Sequence, residues 1–527
     1  MTVPVVVAGA GPVGLALACA LGHHGVACVV LEEDDGLSRH SKAPGILPRT
    51  LEVFRAWGVL DAAIAAGTML TRPSVWSPDA REPLLTIDLG PLDEMTAAPG
   101  LLVLPQNRTE AVLRDHVVVH GLAELRFGHR VAGFEQGEAG VAVLVEPATG
   151  TPYRIEAEFL VGCDGAHSVV RDTLGWRLEG TTYPTRLVLA DVRLNGGRNA
   201  LPWPRLAADG DAFHAAGRLE PDLWRIIGNV APDITDEEAA SPRGLEPRVS
   251  RLFGPGAFEL VWADTFRIHC RTSPGFRRGR VLLAGDAAHV NSPAGGQGMN
   301  SGIQDAHNLG WKVARALAGG AQEALLASYE EERRAVIVGN VDRYTDLLTR
   351  AFLLAPPLVR RATLTGLRLA LRQPAVWRRL LRRAAMLDAR YPRSSLICGD
   401  GRWLGARAED APVLLPDGSR GRLLDLAARD AALLLFQDAT LPAWNAAEVE
   451  TVVGPIPGLR VWRLRQDAGT APGPSDVVDV TGALWRRWRP RPGSAALVRP
   501  DGHVGWAGQR PSAEVLRDGV RRALGAR

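Results

Sequence analysis

The pattern of the N-terminal residues strongly constrains the fold of the chain. Val3–Ala8 is an uninterrupted apolar run, typical of a buried parallel strand. Residues 9–14 (GAGPVG) form a G-x-G-x-x-G turn that leads into an apolar helix, and a second apolar run, residues 26–31, ends at Glu32. The order strand, turn, helix, strand, acid predicts a βαβ unit of the Rossmann type with a dinucleotide at its turn.

Each part of this turn has a physical reason for its residue type. The first glycine permits the tight turn, the second lets the backbone approach a pyrophosphate, and the third lets helix and strand pack closely. Glu32 lies where a carboxylate accepts hydrogen bonds from ribose hydroxyls. The alternative interpretation is a glycine-rich turn that binds no ligand, but all five features occur in the expected order and spacing, which favours a nucleotide site. The motif alone does not distinguish NAD from FAD. The turn residues that we expect in the site are Gly9, Gly11, Pro12, Val13 and Gly14.

A second signature lies almost three hundred residues later. The short apolar strand 281–284 precedes Asp286, and the glycine-rich segment 293–298 (PAGGQG) opens a helix at about Asn300. The aspartate can bind a sugar-like hydroxyl. The turn lets backbone N–H groups approach an electron-accepting ring, towards which the positive end of the helix points.

The composition limits the classes of protein to which the chain can belong. A chain of 527 residues holds two or three domains, and a formal net charge of +3 argues against a polyanionic partner. The five cysteines are scattered without a C-x-x-C pair, so neither a disulfide framework nor a zinc site is indicated and we expect no metal. The apolar run 3–22 is interrupted by the glycine-rich turn, so it predicts strand plus helix, not a membrane span. We therefore expect a soluble cytoplasmic protein.

The pattern changes three times along the chain. Residues 1–180 and 273–392 are predicted to form the nucleotide-binding domain with a helical extension, and alternating runs in 181–272 predict an inserted antiparallel sheet that covers the ligand. The arginine-rich helices within 320–392 could bind RNA or a membrane surface, but we interpret them as a solvated face and expect no nucleic acid or membrane partner. Residues 395–527 predict a separate small α/β domain with a structural role. Its expected strands are 432–436, 451–453 and 496–499.

With these motifs in order, the chain closely resembles the class A FAD-dependent aromatic hydroxylases, in the branch that modifies aromatic polyketides in actinomycetes. The likeness spans nearly the whole length. It implies an α/β fold: a Rossmann-type FAD-binding domain with an inserted antiparallel substrate domain, a helical linker and a thioredoxin-like C-terminal domain. Besides the two glycine-rich turns, the segments that carry the likeness are 48–52 (PRTLE), Gln106 before a helix at 108–118, 163–165 (CDG), 300–312 and 497–504 (LVRPDGHV).

The resemblance also implies a role for each matching residue. Gly9, Gly11 and Gly14 would hold the FAD pyrophosphate, and Glu32 the adenosine ribose. Gln106 would face the ribityl chain or the flavin edge, Asp286 would take a ribityl hydroxyl, and Asp164 would support both FAD and the passing nicotinamide. Lys42 stands where the family often has arginine, which keeps the charge but loses the bidentate fork. The residues implied to line the isoalloxazine are Pro293, Gly296, Gly298, Met299 and Asn300.

The implied reaction uses NAD(P)H and O2 as co-substrates. Reduced FAD would form a C4a-hydroperoxide that hydroxylates a phenolic or polycyclic aromatic substrate. Baeyer–Villiger oxidation or epoxidation on the same fold stays open, as does a non-oxygenating FAD reductase or a nucleotide-binding partner protein. The sequence has no second G-x-G-x-x-G after a strand, so we expect the reductant to visit the flavin site transiently. We name no catalytic residue. His289 is expected to have a packing or hydrogen-bonding role, and the candidates for lining the substrate pocket are His214, Trp224 and Trp262. A monomer and a homodimer are both compatible with the sequence.

Overall fold

The computed structural model describes residues 2–39, 41, 43–209, 212–319, 323–353, 355–370, 372–437, 445–466 and 473–526. Its α-helices are Pro12–His23, Pro48–Trp57, Leu60–Ala66, Gln106–Val119, Val169–Thr173, Asp236–Ala240, Pro242–Phe253, Gly298–Leu317, Glu323–Val336, Asp342–Leu348, Pro357–Ala370, Pro374–Ala384, Ala446–Val453, Ala483–Trp488 and Ala513–Ala523.

The first sheet confirms the βαβ prediction. Its central strand, Val3–Ala8, pairs in parallel with Cys28–Glu32 on one side and with Tyr153–Gly162 on the other. Ala123–Phe127 and Val281–Leu283 extend the parallel sheet at its two sides. Three antiparallel strands complete this eight-stranded sheet, namely His129–Gln136, Val141–Pro147 and Arg277–Arg278. Because the two sequence signatures follow strands of one parallel sheet, their loops meet at the same edge.

The second sheet is antiparallel, as the alternating runs predict. It has six strands, in the spatial order Arg205–Asp209, Ala212–Arg218, Leu223–Val230, Glu179–Leu194, Phe258–Thr272 and His289–Val290. One face packs against the helix Pro242–Phe253 through Trp224, Ile226 and Leu245. The opposite face is turned towards the first sheet and covers the ligand cavity described below. Two small sheets lie beside it: Gly45–Ile46, Leu101–Val103 and Thr68–Leu70, and the pair Ser74–Val75 and Leu85–Thr86.

The helices after residue 323 bring the arginine-rich segment to the surface. Pro374–Ala384 buries Leu381 and leaves Arg378 and Arg379 exposed. Arg382, on the same helix, pairs with Glu409 of the C-terminal domain at 3.0 Å, which agrees with a solvated face that also joins domains. Among the described helices, none combines the length and the apolar character that a membrane crossing requires. The domain division at residues 180, 272 and 392 stays a prediction.

The C-terminal domain is built around a mixed eight-stranded sheet. Its strands, in spatial order, are Cys398–Gly399, Val504–Gln509, Ser494–Val498, Ala431–Phe436, Leu459–Arg465, Asp476–Val478, Pro412–Leu414 and Arg420–Arg422. The predicted strand 451–453 is wrong, because these residues end the helix Ala446–Val453. Their β-branched side chains favour a strand locally, but Asn445 caps the helix by accepting from the Glu448 N–H at 3.3 Å. Val449 and Val453, four residues apart, then bury one helix face against the sheet.

A buried ionic cluster joins this domain to the rest of the chain. Arg499 donates from Nη1 to Glu332 Oε1 at 2.6 Å and from Nη2 to Oε2 at 2.8 Å. Asn308 on the helix Gly298–Leu317 donates to Asp501 Oδ2 at 2.8 Å. All of these side chains are buried, and desolvation alone would raise the pKa of Glu332. The neighbouring cations Arg499 and Lys312 outweigh it and lower that pKa to about 2.

Candidate flavin site and its substrate cavity

One cavity, of about 920 Å3, runs between the parallel sheet and the antiparallel sheet. At one end it is lined by the Gly9–Val13 turn and Glu32, and at the other by the cavity face of the antiparallel sheet. Asp286 and most of the segment 290–299 also line it. The two signatures therefore border the same space, although they are far apart in sequence.

Most of the predicted site residues line this cavity. Gly14 and Asn300 are not among the lining residues, and Lys42 lies outside the described residues. The predicted residues that do line it are Gly9, Gly11, Pro12, Val13, Glu32, Gln106, Asp164, Asp286, Pro293, Gly296, Gly298 and Met299.

Gly14 and Asn300 act on the backbone that forms the site. A Cβ at Gly14 would lie 1.9 Å from the Gly9 carbonyl oxygen, so only glycine lets the helix start this close to the turn. The buried Asn300 side chain accepts from the Leu47 N–H at 2.9 Å. It also donates to the Gly45 and Gly296 carbonyls at 2.9 and 2.8 Å. Asn300 thus joins the segment at 45–47 to the glycine-rich turn.

The glycine backbones leave room that a large planar ligand can occupy. Gly11, Gly296 and Gly298 line the cavity, and at none of them would a Cβ lie within 4 Å of a described protein atom. Gly9 has a φ of +98° and Gly296 of +64°, in the region that favours glycine. Gly298 and Met299 line this space at the start of the helix Gly298–Leu317, and the first N–H groups of a helix have no intrahelical partner. These features fit a dinucleotide whose pyrophosphate passes Gly11 and whose ring lies beside 296–299.

Glu32 and Asp164 both support backbone beside the cavity. Glu32 Oε2 accepts from the Ala10 N–H at 2.6 Å, which fixes the turn and leaves further acceptor capacity for a hydroxyl. Asp164 accepts from the Ser168 hydroxyl at 2.6 Å and from the Val170 N–H at 3.1 Å, so it holds the start of the helix Val169–Thr173. Burial raises the pKa of Asp164.

Gln106 is oriented by two neighbours that sequence reasoning did not identify. Its backbone N–H donates to Ser41 Oγ at 2.8 Å, and its side-chain Nε2 donates to Glu110 Oε1 at 2.9 Å. An amide whose nitrogen faces Glu110 turns its oxygen the other way, so it can accept from a ribityl hydroxyl. Burial raises the pKa of Glu110 to about 7.

Behind Asp286 lies a buried polar cluster centred on Asp305. Its carboxylate accepts from the Gly285 N–H at 3.1 Å, from Arg333 Nε at 2.7 Å, and lies 2.7 Å from His289 Nε2. Burial by itself lowers the pKa of His289, but the charge of Asp305 raises it above its ordinary value. His289 is therefore a fully buried hydrogen-bonding residue, as we interpreted it from the sequence, and Asp286 alone of residues 285–288 is exposed.

The residues that line the substrate end of the cavity differ from those that the sequence predicted. His214, Trp224 and Trp262 were candidates for its lining, yet none is among the described lining residues. Alternation along the strand turns Trp224 into the core beneath the sheet, whereas its neighbour Arg225 faces the cavity. The alternation is visible in the sequence 223–228 (LWRIIG), and it could have identified Arg225 once the buried face was known. The lining residues that we did not predict include Leu189, Trp203, Gly217, Arg225, Ile227 and Phe266.

Comparison with known proteins agrees with this geometry. Residues 2–344 match the family described as FAD binding domain. The 12-dehydrotetracycline 5-monooxygenase/anhydrotetracycline 6-monooxygenase of Streptomyces rimosus subsp. rimosus is 34% identical over 540 residues, covering 100% of this chain and 99% of that protein. The structure of OxyS anhydrotetracycline hydroxylase from Streptomyces rimosus has a TM-score of 0.79 at 32% identity, covering 100% and 99% of the two chains. Aklavinone-11 hydroxylase, solved with FAD and aklavinone, has a TM-score of 0.81 at 26% identity and covers 99% of each chain.

The fold and the site define a flavin-dependent enzyme of the α/β nucleotide-binding class. The chain belongs to the FAD binding domain family and, within it, to the class A monooxygenases. This confirms the predicted cofactor, FAD, and the α/β fold with its inserted antiparallel sheet. NAD(P)H and O2 are the co-substrates.

Proposed function

We propose that this enzyme hydroxylates a polycyclic phenolic substrate of the polyketide type. The observation that carries the proposal is the single cavity that joins the glycine-rich turns to the largely apolar face of the antiparallel sheet. A ring seated on Leu189, Ile227 and Phe266 lies in the same space as the helix start at 298–299. Relatives that match the full length act on anhydrotetracycline and 6-methylpretetramide, which supports a substrate of this class.

The proposed cofactor contacts follow the geometry of the cavity. The backbone at Gly9, Gly11, Pro12 and Val13 receives the pyrophosphate, while Gly14 keeps the helix close to the turn. Glu32 accepts from the adenosine ribose, Gln106 and Asp286 bind the ribityl chain, and Asp164 supports the loop beside the ring. Lys42 is proposed on the family pattern alone. The residues proposed around the isoalloxazine are Pro293, Gly296, Gly298, Met299 and Asn300.

FAD, once reduced by NAD(P)H, supplies the activation of O2. The chain supplies the surroundings. The start of the helix Gly298–Leu317 would present its N–H groups to a ring bound beside Gly298 and Met299, and such a terminus stabilises a nearby negative charge by roughly 0.3–2 kcal/mol. The antiparallel sheet would cover the bound rings with the side chains of Leu189, Ile227 and Phe266 and would exclude water from the reacting atoms. The buried Asp305 holds the Gly285 N–H and thereby fixes the position of Asp286.

The test is oxygen incorporation by the purified holoenzyme. We expect anhydrotetracycline to gain one oxygen atom, which comes from 18O2, only when NAD(P)H is present. Product formed without dissolved oxygen, or NAD(P)H oxidation with no substrate oxygenation across a panel of polycyclic phenols, would contradict the proposal. An apoprotein that takes up no FAD would contradict the cofactor assignment as well.

A further inference from the structure

The face of the antiparallel sheet that lines the substrate cavity carries a buried ion pair among apolar side chains. In the antiparallel sheet, Arg225 lies directly between Gly217 on one neighbouring strand and Asp191 on the other. The next row along the same face is Ala215, Ile227 and Leu189. Residues directly opposite each other in an antiparallel sheet point to the same face.

The arginine is rigidly held. Nε donates to Asp191 Oδ1 and Nη2 to Asp191 Oδ2, each at 2.8 Å, which is a bidentate pair. Arg225 is 5% exposed and Asp191 6%, so few water molecules reach the pair. Nη1 also lies 3.4 Å from Ser41 Oγ, at the edge of the flavin side of the cavity.

The pair leaves donors directed at the cavity. Of the five guanidinium N–H groups, Asp191 takes two and Ser41 takes one. Within the described part of the chain the other two, one on each Nη, have no protein acceptor. Gly217 keeps the space beside them open, since a Cβ there would meet no described atom within 4 Å.

We propose that Arg225 is the specificity-determining residue of the substrate cavity, and that it receives an ionised oxygen of the aromatic substrate in the space beside Gly217. This rests on the proposed function, because it names the substrate class as acidic phenols or enols. Asp191 positions the guanidinium and Gly217 gives access to it. The charged oxygen thus sets the orientation of the ring on the Leu189 and Ile227 row.

The charges on this face favour an acidic substrate. A ring edge without an acceptor oxygen forms no hydrogen bond with the guanidinium, and a neutral oxygen adds no net charge attraction. A phenolate supplies both, which we expect to be worth about ten- to hundredfold in affinity. Asp191 accepts from Arg225 through both oxygens and is not among the described residues that line the cavity, so it presents no acceptor to a cationic substrate there.

The experiment measures binding of two probes to the oxidised holoenzyme by perturbation of the flavin absorption spectrum. Alizarin carries an acidic phenol, and its 1,2-dimethyl ether has the same ring system without an ionisable oxygen. The double variant Arg225→Gln/Asp191→Asn removes both charges together, so it leaves no buried carboxylate unpaired. We expect it to raise the Kd of alizarin about ten- to hundredfold and that of the ether by about twofold or less.

Two further variants separate recognition from structural support. Gly217→Val keeps both charges but fills the space beside the guanidinium, so we expect it to weaken alizarin binding by about tenfold or more while FAD content is retained. Ile227→Val, on the neighbouring row, changes only apolar volume and should affect both probes equally.

The proposal is wrong if the double variant weakens both probes equally, if it leaves alizarin binding unchanged, or if the wild-type holoenzyme does not prefer alizarin to its ether. These outcomes are separate from failure of the proposed function, since binding is measured without NAD(P)H. A protein that discriminates the probes but transfers no oxygen would retain this inference and lose the hydroxylase assignment.

Discussion

Replacing single glycines of the N-terminal turn should separate cofactor binding from folding. Gly11 has φ −67° and ψ −177°, which alanine adopts without strain, and a Cβ there would meet no described atom within 4 Å. In the apoprotein, Gly11→Ala should therefore leave stability unchanged or raise it by about 0.4–1 kcal/mol, because alanine restricts the unfolded chain. The methyl group would instead occupy the space assigned to the pyrophosphate.

The expected loss of FAD affinity follows from the contacts displaced. Hydrogen bonds to a charged group contribute about 1.5–3 kcal/mol each, so losing one raises the FAD Kd about ten- to hundredfold. Gly14→Ala is the matched control. Its Cβ would lie 1.9 Å from the Gly9 carbonyl oxygen, and the forced backbone shift should destabilise the apoprotein by about 1–3 kcal/mol.

Two measurements decide the outcome. Urea unfolding of apoprotein gives the stability difference, and quenching of FAD fluorescence on binding gives the Kd. We expect Gly11→Ala to change only the Kd and Gly14→Ala to change the stability. If folded Gly11→Ala protein binds FAD with wild-type affinity, the pyrophosphate does not pass this residue.

Two other predictions concern buried charge. Burial raises the pKa of Glu110 from 4.5 to about 7, so the folded state binds this proton more tightly than the unfolded state does. The free energy of unfolding should therefore fall by up to about 3 kcal/mol as the pH rises from 4.5 to 7. In urea unfolding, Glu110→Gln should flatten that dependence, and an unchanged pH profile would contradict the assignment. Arg499→Leu leaves the buried Glu332 and Asp501 without their shared cation and should cost about 3–5 kcal/mol, whereas Arg517→Ala at an exposed pair should change stability by about 0.5 kcal/mol or less. Equal effects of the two substitutions on the unfolding midpoint would show that the cluster does not anchor the C-terminal domain.

The nucleotide half of the site could be predicted from the sequence because short, local sequence patterns specify it. The turn at Gly9–Gly14 and the segment after Val281–Leu283 each encode strand, turn and helix within a few residues. The substrate half is different. The Arg225–Asp191 pair arises from cross-strand register between residues 34 apart, and no local pattern reports such a pairing. In the same way, burial against the sheet overrode the strand propensity of residues 451–453.

Close helix packing explains how two distant turns form one site. The helix Gly298–Leu317 has interior glycines at 302 and 310, each of which costs about 1 kcal/mol of helix propensity relative to alanine. A Cβ at Gly302 would lie 2.5 Å from Val13 Cγ2, and one at Gly310 would lie 2.6 Å from the Ala20 Cβ. These two glycines therefore let this helix approach Pro12–His23 more closely than alanine would allow. Since each helix begins at one of the two glycine-rich turns, the distance between the helices also sets the distance between the turns. The helix interior is thus as much a part of the flavin site as the residues that line it.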